Sequence, residues 1–368
     1  MSRNWFEKGL NFDRWLLAVV LILCFFGLVM VYSTSTILAM DKYNDPYFFL
    51  RRHIIWLFLG LGMMLVMMHL NAERIRIFSG LGLILAVGLL ISVFYLPPIK
   101  KVHRWIDLGP FLFQPSEFAR LALVIYLSHS LAKRKDRPIE FLRHTLPNFL
   151  VIGIIAGLVF LEPDLGGAIT IGLVGMVLLY IGGVRKTHLG LALVLGLAGA
   201  VYSVLKEDYQ WARIKAFIDP WQFADNLGYQ LAQSFLAFGS GGLFGVGLGM
   251  SHQKLYFLPD AHTDFILSVI GEEWGLIGVM GVIIIFGIFI TRGMTIALLS
   301  PDQYKCNLAL GLTAMIGLPA LVNMAVVTGL APTKGLVLPF LSYGGSALVI
   351  NMVAVGILLN VSAKRFQR

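Results

Sequence analysis

The stretch PDAHTDFILSVIGEEWG, residues 259–275, opens an apolar span at about 264–291, and it carries three acids. Asp264 starts the run, while Glu272 and Glu273 sit inside it. An ionised side chain at bilayer depth is costly, so such residues face the interior of a helix bundle and pair there. With a helix start near Thr263, Asp264 falls in the first turn, at the mouth, where the helix dipole favours an acid. Glu272 then lies roughly 12 Å deeper and about 80° round, able to face the same cavity, while Glu273 points about 180° away. Asp264 reads either as a simple N-terminal charge or as a reactive carboxylate reachable from the mouth. The two glutamates are expected to be buried and paired to neighbouring helices.

The rest of the chain fits a membrane-embedded span. Its 368 residues are 58% hydrophobic and only 13% charged, more apolar than soluble domains usually are. Repeated continuous apolar runs, without period-two alternation, indicate an all-α polytopic membrane protein rather than a β-barrel. Ten spans are expected, at about 15–37, 54–70, 76–96, 114–132, 146–162, 165–183, 188–205, 264–291, 307–330 and 342–361. They form a single membrane domain over 1–368. An even number of crossings puts both termini on one side. Placing them in the cytoplasm gives cytoplasmic segments 17 of the 29 Lys and Arg and external segments 11, with Arg120 inside a span. The basic loop KRKDRP (133–138) then lies inside, as the orienting rule for membrane proteins requires.

The net charge of +9 follows from these loops and does not indicate nucleic-acid binding. Lys100, Lys101 and Arg104 gather on the external side against this trend. They are either helix-end cations reaching for the interface or a patch that receives an anion. Cys24 and Cys306 provide no disulfide framework. The first apolar run lacks a clear cleavage site and reads as a first helix.

The longest polar segment, 206–263, is external and contains GSGGLFGVGLG (239–249). No strand precedes these glycines, so a dinucleotide-binding loop is rejected. They indicate a backbone that turns sharply or passes close to another segment. The aromatic and apolar content of this loop predicts short or re-entrant elements packed on the membrane face.

Three further polar sets stand out. In QPSEFARLAL (114–123), Pro115 suits a helix's first turn, and Glu117 and Arg120 share one face. This is a structural ion pair or one that tunes a nearby site. In LEPDLGG (161–167), Glu162 and Asp164 flank Pro163, either as solvated acids of a short hairpin or as contacts to a substrate or cation. In APTKGLVLPFLSYGGSAL (331–348), prolines and a glycine pair break the helix, which membranes tolerate where backbone lines a cavity. Lys334 offers an ammonium to phosphate, and Ser342, Tyr343 and Ser346 add hydroxyls. His262 adjoins Asp264, but no serine stands at nucleophilic spacing, so a hydrolytic triad has no support.

PDAHTDFILSVIGEEWG and PTKGLVLPFLSYGGSAL resemble the two signature stretches of the SEDS proteins (shape, elongation, division and sporulation). RWIDLGPFLFQPSEFAR, PDLGGA and GSGGLFGVGLG match further family stretches in the same order. The resemblance covers nearly the whole chain. KLYFLPDAHTDF and LAPTKGL look closer to the cell-division branch than to the elongation branch, although the short chain suits either. Trp274 departs from the leucine of the family's GEELG pattern.

The resemblance implies a peptidoglycan glycosyltransferase that polymerises lipid II into β-1,4 glycan strands at the outer face of the bacterial cytoplasmic membrane. Its implied partners are a class B penicillin-binding protein and other division or elongation proteins. It also implies that Asp264 is the catalytic carboxylate. A carboxylate there can accept the proton of the attacking sugar hydroxyl. Arg104, Arg120, Lys334 and Arg213 are the cations able to hold a lipid-linked pyrophosphate. Whether Asp164 or Asp264 holds a divalent cation such as Mg or Mn stays open. A lipid II flippase or a catalytically silent scaffold would use the same acids differently. The concentration of polar residues toward the external side favours surface chemistry over an alternating-access path. The second, sixth and seventh spans, apolar all round, leave lipid-facing surface for a partner's helix.

Overall fold

A computed structural model describes residues 12–99, 102–109, 111–133, 145–206, 208–255, 257–333 and 335–363. Among these lie α1 (Arg14–Tyr43), α2 (Phe48–His69), α3 (Ala72–Ile77), α4 (Ser79–Val93), α5 (Pro115–Ala132), α6 (Leu146–Leu161) and α7 (Leu165–Ile181). Then follow α8 (Lys186–Lys206), α9 (Asp208–Ile218), α10 (Tyr229–Gly241), α11 (Ile266–Leu298), α12 (Gln303–Val327) and α13 (Gly345–Ala363). Ten of these coincide with the ten expected spans. Five (α1, α2, α11, α12 and α13) are long and apolar enough to cross a membrane on those grounds alone. α4, α6 and α7 are shorter, with 15, 16 and 17 residues. At about 1.5 Å per residue they fall short of a hydrocarbon core about 30 Å thick.

Two features escape a reading based on apolar runs. α3 is a charged single turn and a half, started by Asn71, whose side chain accepts the Glu73 N–H at 3.1 Å. A two-stranded ribbon, β1 (Ile106–Asp107) and β2 (Leu112–Phe113), folds RWIDLGPFLF back on itself just before α5. Asp107 accepts the Gly109 N–H at 2.8 Å, and Gly109 turns the chain at φ 80°.

Burial grades across the bundle. α13 is central: from Ser346 to Ser362 every residue except Val349 is buried. It packs along α2 and also meets α5, α11 and α12. α8 is peripheral and presents Leu191, Val194, Leu195, Leu197 and Val201 outward. In water such a surface would drive association; in a bilayer it is a wall for acyl chains. At one end of the bundle Asp13 caps α1, receives the guanidinium of Arg292 from α11, and donates its N–H to Ser362 of α13 at 3.0 Å. The first and last described helices therefore begin and finish at one end, as an even number of crossings demands.

α11 is broken. Gly275 has φ 66° and ψ −162°, and a side chain there would collide with Gly245 and Leu243. The break leaves backbone groups that need partners at bilayer depth. One loop supplies them. The N–H groups of Val246 and Gly247 donate to the carbonyls of Glu272 and Glu273 at 2.9 and 3.1 Å. The N–H groups of Leu276 and Ile277 donate to Gly242 and Leu243 at 2.9 and 3.3 Å. The glycine-rich stretch is thus the close backbone passage its composition predicts.

Candidate active site

Asp264 lies in the turn just before α11, which starts at Ile266, and not in the first helical turn. It is half-buried at the bundle end opposite the Asp13 cap. Asn323, buried on α12, donates from Nδ2 to the carbonyls of Asp264 at 2.7 Å and Leu336 at 2.6 Å. That amide holds the Asp264 turn against the irregular segment between α12 and α13. A second stitch runs from the Tyr343 N–H to the His262 carbonyl, at 2.9 Å. A Cβ at Gly335 would sit 2.9 Å from Asp264 Oδ2, so glycine there leaves room for the carboxylate.

Below this turn lies a small cavity of about 60 Å³. Its walls include Gln114, Ser116, Glu117 and Arg120 from the start of α5, and Asp164, Gly167, Thr170 and Ile171 from the start of α7. Pro319 of α12, Asn351 of α13 and the segment Gly335–Val337 with Pro339 complete it. Glu117 and Arg120 form the expected ion pair, one turn apart. Asp164 caps α7 by accepting the Gly167 N–H at 2.9 Å. Arg120 Nε and Asn351 Oδ1 are buried without a hydrogen-bond partner in the protein. Buried polar atoms are nearly always satisfied, so each such exception calls for an explanation.

The other sequence-derived candidates lie elsewhere. Arg104 donates from Nε to the Glu162 carbonyl at 3.1 Å and from Nη2 to the Pro163 carbonyl, clamping the ribbon to the α6–α7 turn. Glu162 and Asp164 are both buried rather than solvated. Arg213 on α9 reaches the Thr333 carbonyl at 3.5 Å. Ser342 accepts the Leu338 N–H at 2.9 Å and closes a turn. Tyr343 packs at 5.2 Å from Phe49 and 5.9 Å from His262, ring centre to ring centre. Ser346 is buried at the head of α13. None of these six (Arg104, Glu162, Arg213, Ser342, Tyr343 and Ser346) lines the cavity. Lys100, Lys101 and Lys334 lie outside the described residues, as does most of KRKDRP. Among the described residues no group of three or more His, Cys, Asp or Glu is placed to hold a metal ion.

Glu272 and Glu273 are buried and paired, but Glu272 does not face the cavity. It accepts from Ser251 Oγ, from the His252 N–H at 2.9 Å and from the Gln253 N–H at 3.3 Å. Glu273 accepts from Ser33 Oγ of α1 at 2.7 and 2.9 Å and from Lys254 Nζ at 3.0 Å. The 80° projection fails because Asp264 precedes the helix and does not share its phase. Sequence reading missed Ser33, Lys254, Asn323 and Asn351. The last two carried a signal: an amide inside an apolar span needs a partner as much as an acid does.

The chain as a whole is similar to known proteins in sequence and fold. The family described as cell cycle protein, comprising FtsW, RodA and SpoVE, matches residues 14–367. A probable peptidoglycan glycosyltransferase FtsW from Geobacter sp. (strain M18) is 43% identical, covering 96% of this chain and 97% of that one. The Thermus thermophilus rod shape determining protein RodA superposes with TM-score 0.72 at 28% identity, covering 100% of both chains. A chain from a peptidoglycan synthase complex, described as coordinating polymerisation and crosslinking, gives TM-score 0.79 at 28% identity over 99% of this chain and 100% of that one. With a family match over almost its whole length, the chain belongs to the FtsW, RodA and SpoVE family of cell cycle proteins, the SEDS family its motifs resemble.

Proposed function

We propose that the chain is a peptidoglycan glycosyltransferase that polymerises lipid II at the outer face of the bacterial cytoplasmic membrane during cell division, with Asp264 as general base. The observation that carries this reading is the half-buried Asp264 at the bundle mouth, its backbone carbonyl held by Asn323 and its carboxylate given room by Gly335. The relatives' glycosyltransferase name supports the activity, and the name FtsW, with the family's description as cell cycle protein, supports the branch.

In the step proposed, the acceptor sugar hydroxyl gives its proton to Asp264 as its oxygen bonds to the donor's anomeric carbon. The bond from that carbon to the lipid pyrophosphate breaks, and the pyrophosphate leaves with the electron pair. Attack opposite the leaving group inverts the centre to a β-1,4 linkage. Arg213, beside Thr333, and Lys334, next in the chain, are the cations assigned to the leaving pyrophosphate. Arg120 and Arg104, tied to Glu117 and to backbone carbonyls, hold the surrounding framework instead. Both termini are placed in the cytoplasm, and the partner is a class B penicillin-binding protein that crosslinks the strands.

The test is polymerisation of purified lipid II by the full chain, with and without that partner, beside Asp264→Asn. Glycan strands from the unaltered chain and none from the variant are expected. Equal activity of the two would remove Asp264 from the chemistry. Movement of lipid II between leaflets without polymer would favour a flippase. Titration with EDTA, followed by Mg or Mn, reads whether a divalent cation accompanies the pyrophosphate.

A further inference from the structure

The turn between α1 and α2 carries an aromatic cluster that the proposed proton transfer does not use. In YNDPYFFLRR (43–52), Asn44 takes the left-handed conformation at φ 52° and donates its N–H to the Met40 carbonyl at 2.9 Å, closing α1. Asp45 Oδ1 accepts from the Tyr47 N–H and from Arg51 Nη2, each at 3.0 Å, and Pro46 restricts the chain between them. The turn is therefore stiff before any ligand arrives. α1 starts at the Asp13 cap, so Tyr43, its last residue, lies at the Asp264 end of the bundle.

The rings form a continuous row. Tyr43 stacks on Phe48 with 3.7 Å between ring centres, and Phe48 meets Phe49 edge-on at 5.3 Å. Phe49 in turn lies 5.1 Å from His262 and 5.2 Å from Tyr343. His262 is two residues before Asp264, so the row runs from the α1–α2 turn to the turn that carries the base. Its outer end is open: Tyr43 is 49% exposed, and Tyr47, stacked on Tyr32 at 5.8 Å, is 47% exposed. Rings that only anchor a protein at the membrane interface need no particular neighbours. Here charges of both signs are interleaved with them, two acids and three bases over residues 41–52, and the Arg52 guanidinium lies 4.5 Å from the centre of the Phe48 ring. A formal charge of +1 offers little to an anionic headgroup, and carboxylates offer nothing to an acyl chain. A saccharide presents the complement: C–H faces for the aromatic faces, and hydroxyls for the carboxylates and guanidinium groups beside them.

We propose that the α1–α2 turn is a subsite for the glycan strand, in which sugars beyond the reacting ring lie on Tyr43 and Tyr47. The inference rests on the reading that the chain joins sugars at Asp264. Each added sugar moves the strand past the base. Holding the strand at a second point makes its return to the base intramolecular and raises the local concentration of its reacting end. Because each ring contact is weak and the contacts are alike, the strand advances by one unit without leaving the protein. Tyr43 and Tyr47 thereby set how long a strand grows before release.

The test measures binding of a lipid-free tetrasaccharide of alternating N-acetylglucosamine and N-acetylmuramic acid to the full chain in detergent, and the length of strands made from lipid II. Tyr43→Ala with Tyr47→Ala is expected to weaken tetrasaccharide binding about 10-fold and to shorten the strands. Tyr43→Phe with Tyr47→Phe keeps the ring faces and is expected to retain most of the affinity. Tyr95→Ala removes an 86%-exposed ring just past the end of α4 and is expected to change neither readout. Absence of tetrasaccharide binding by the unaltered chain, or equal binding by the alanine pair, overturns the proposal. A phenylalanine pair as weak as the alanine pair overturns it too, because stacking is then not the source of affinity. An equal loss in Tyr95→Ala overturns it as well and assigns the rings to anchoring at the membrane interface. Should the alanine pair fold poorly, Tyr47→Ala alone, at an exposed ring, is expected to weaken binding about 3-fold and decides the matter in its place. Polymer formation by the unaltered chain reports on the glycosyltransferase reading separately: tetrasaccharide binding without polymer would sink that reading and leave the subsite standing.

Discussion

Two polar regions lie close together in this bundle and are finished to different standards. Around Glu272 and Glu273 each carboxylate has several partners, and a single loop meets the backbone groups freed by the break at Gly275. In the cavity flanking Asp264, a guanidinium nitrogen and an amide oxygen are left over. Both regions are buried and both contain acids, so burial and charge alone do not separate them. What meets the acids separates them: Glu272 and Glu273 are saturated by donors, although Gln253 Oε1 beside them is buried without a partner, whereas the site at the mouth stays incomplete in the sense that Asp264 is only half-buried.

That contrast can be broken by substitution. The largest effect is expected at the incomplete site, where Asp264→Asn should lower polymerisation by about 10²–10⁴-fold, the usual scale for a general base. Its thermal unfolding should match the unaltered chain. The reverse pattern is expected at the clasp. Glu273→Ala strands Lys254 in a buried position and should cost about 3–5 kcal/mol of stability, measured by thermal or denaturant unfolding in detergent. Replacing both partners, Lys254→Met with Glu273→Met, should recover most of that loss. If the double variant is no better than the single one, the ion pair is not what holds the loop. Gly275→Ala should cost more than the about 1–3 kcal/mol of a backbone angle that suits only glycine, because its Cβ would also meet the backbone of Gly245 and Leu243. Ser342→Ala, which removes one turn-closing hydrogen bond, should cost about 1 kcal/mol. The smallest effect belongs to Asp45→Asn, which breaks an exposed pair with Arg51 and should change stability by about 1 kcal/mol or less.

The sequence makes the fold legible to the level of spans because apolar run length is a direct physical requirement of a bilayer. It makes the acids conspicuous for the same reason. It places Glu117 beside Arg120 correctly, since neighbours one turn apart on a helix need no tertiary knowledge. It fails where the helix breaks or begins late. The azimuth of Glu272 relative to Asp264 assumes a continuous helix from residue 263, which starts three residues later. Arg104, Ser342 and Ser346 look like mouth residues by position, yet their contacts are with backbone or with the packed interior. Which polar side chains converge on the cavity depends on helix–helix packing among α5, α7, α12 and α13, and local periodicity carries no record of that.

The break at Gly275 divides α11 into two mechanical parts. The short upper part carries Asp264 at its head, and its lower end is bonded to the loop through residues 242–253. The long lower part runs on to Arg292 and is anchored at the far end of the bundle. A displacement of the loop therefore reaches the Asp264 carboxylate through two helical turns above the break and the head of the long arm at Leu276 and Ile277 below it, while the far end of that arm stays where Arg292 and Asp13 hold it.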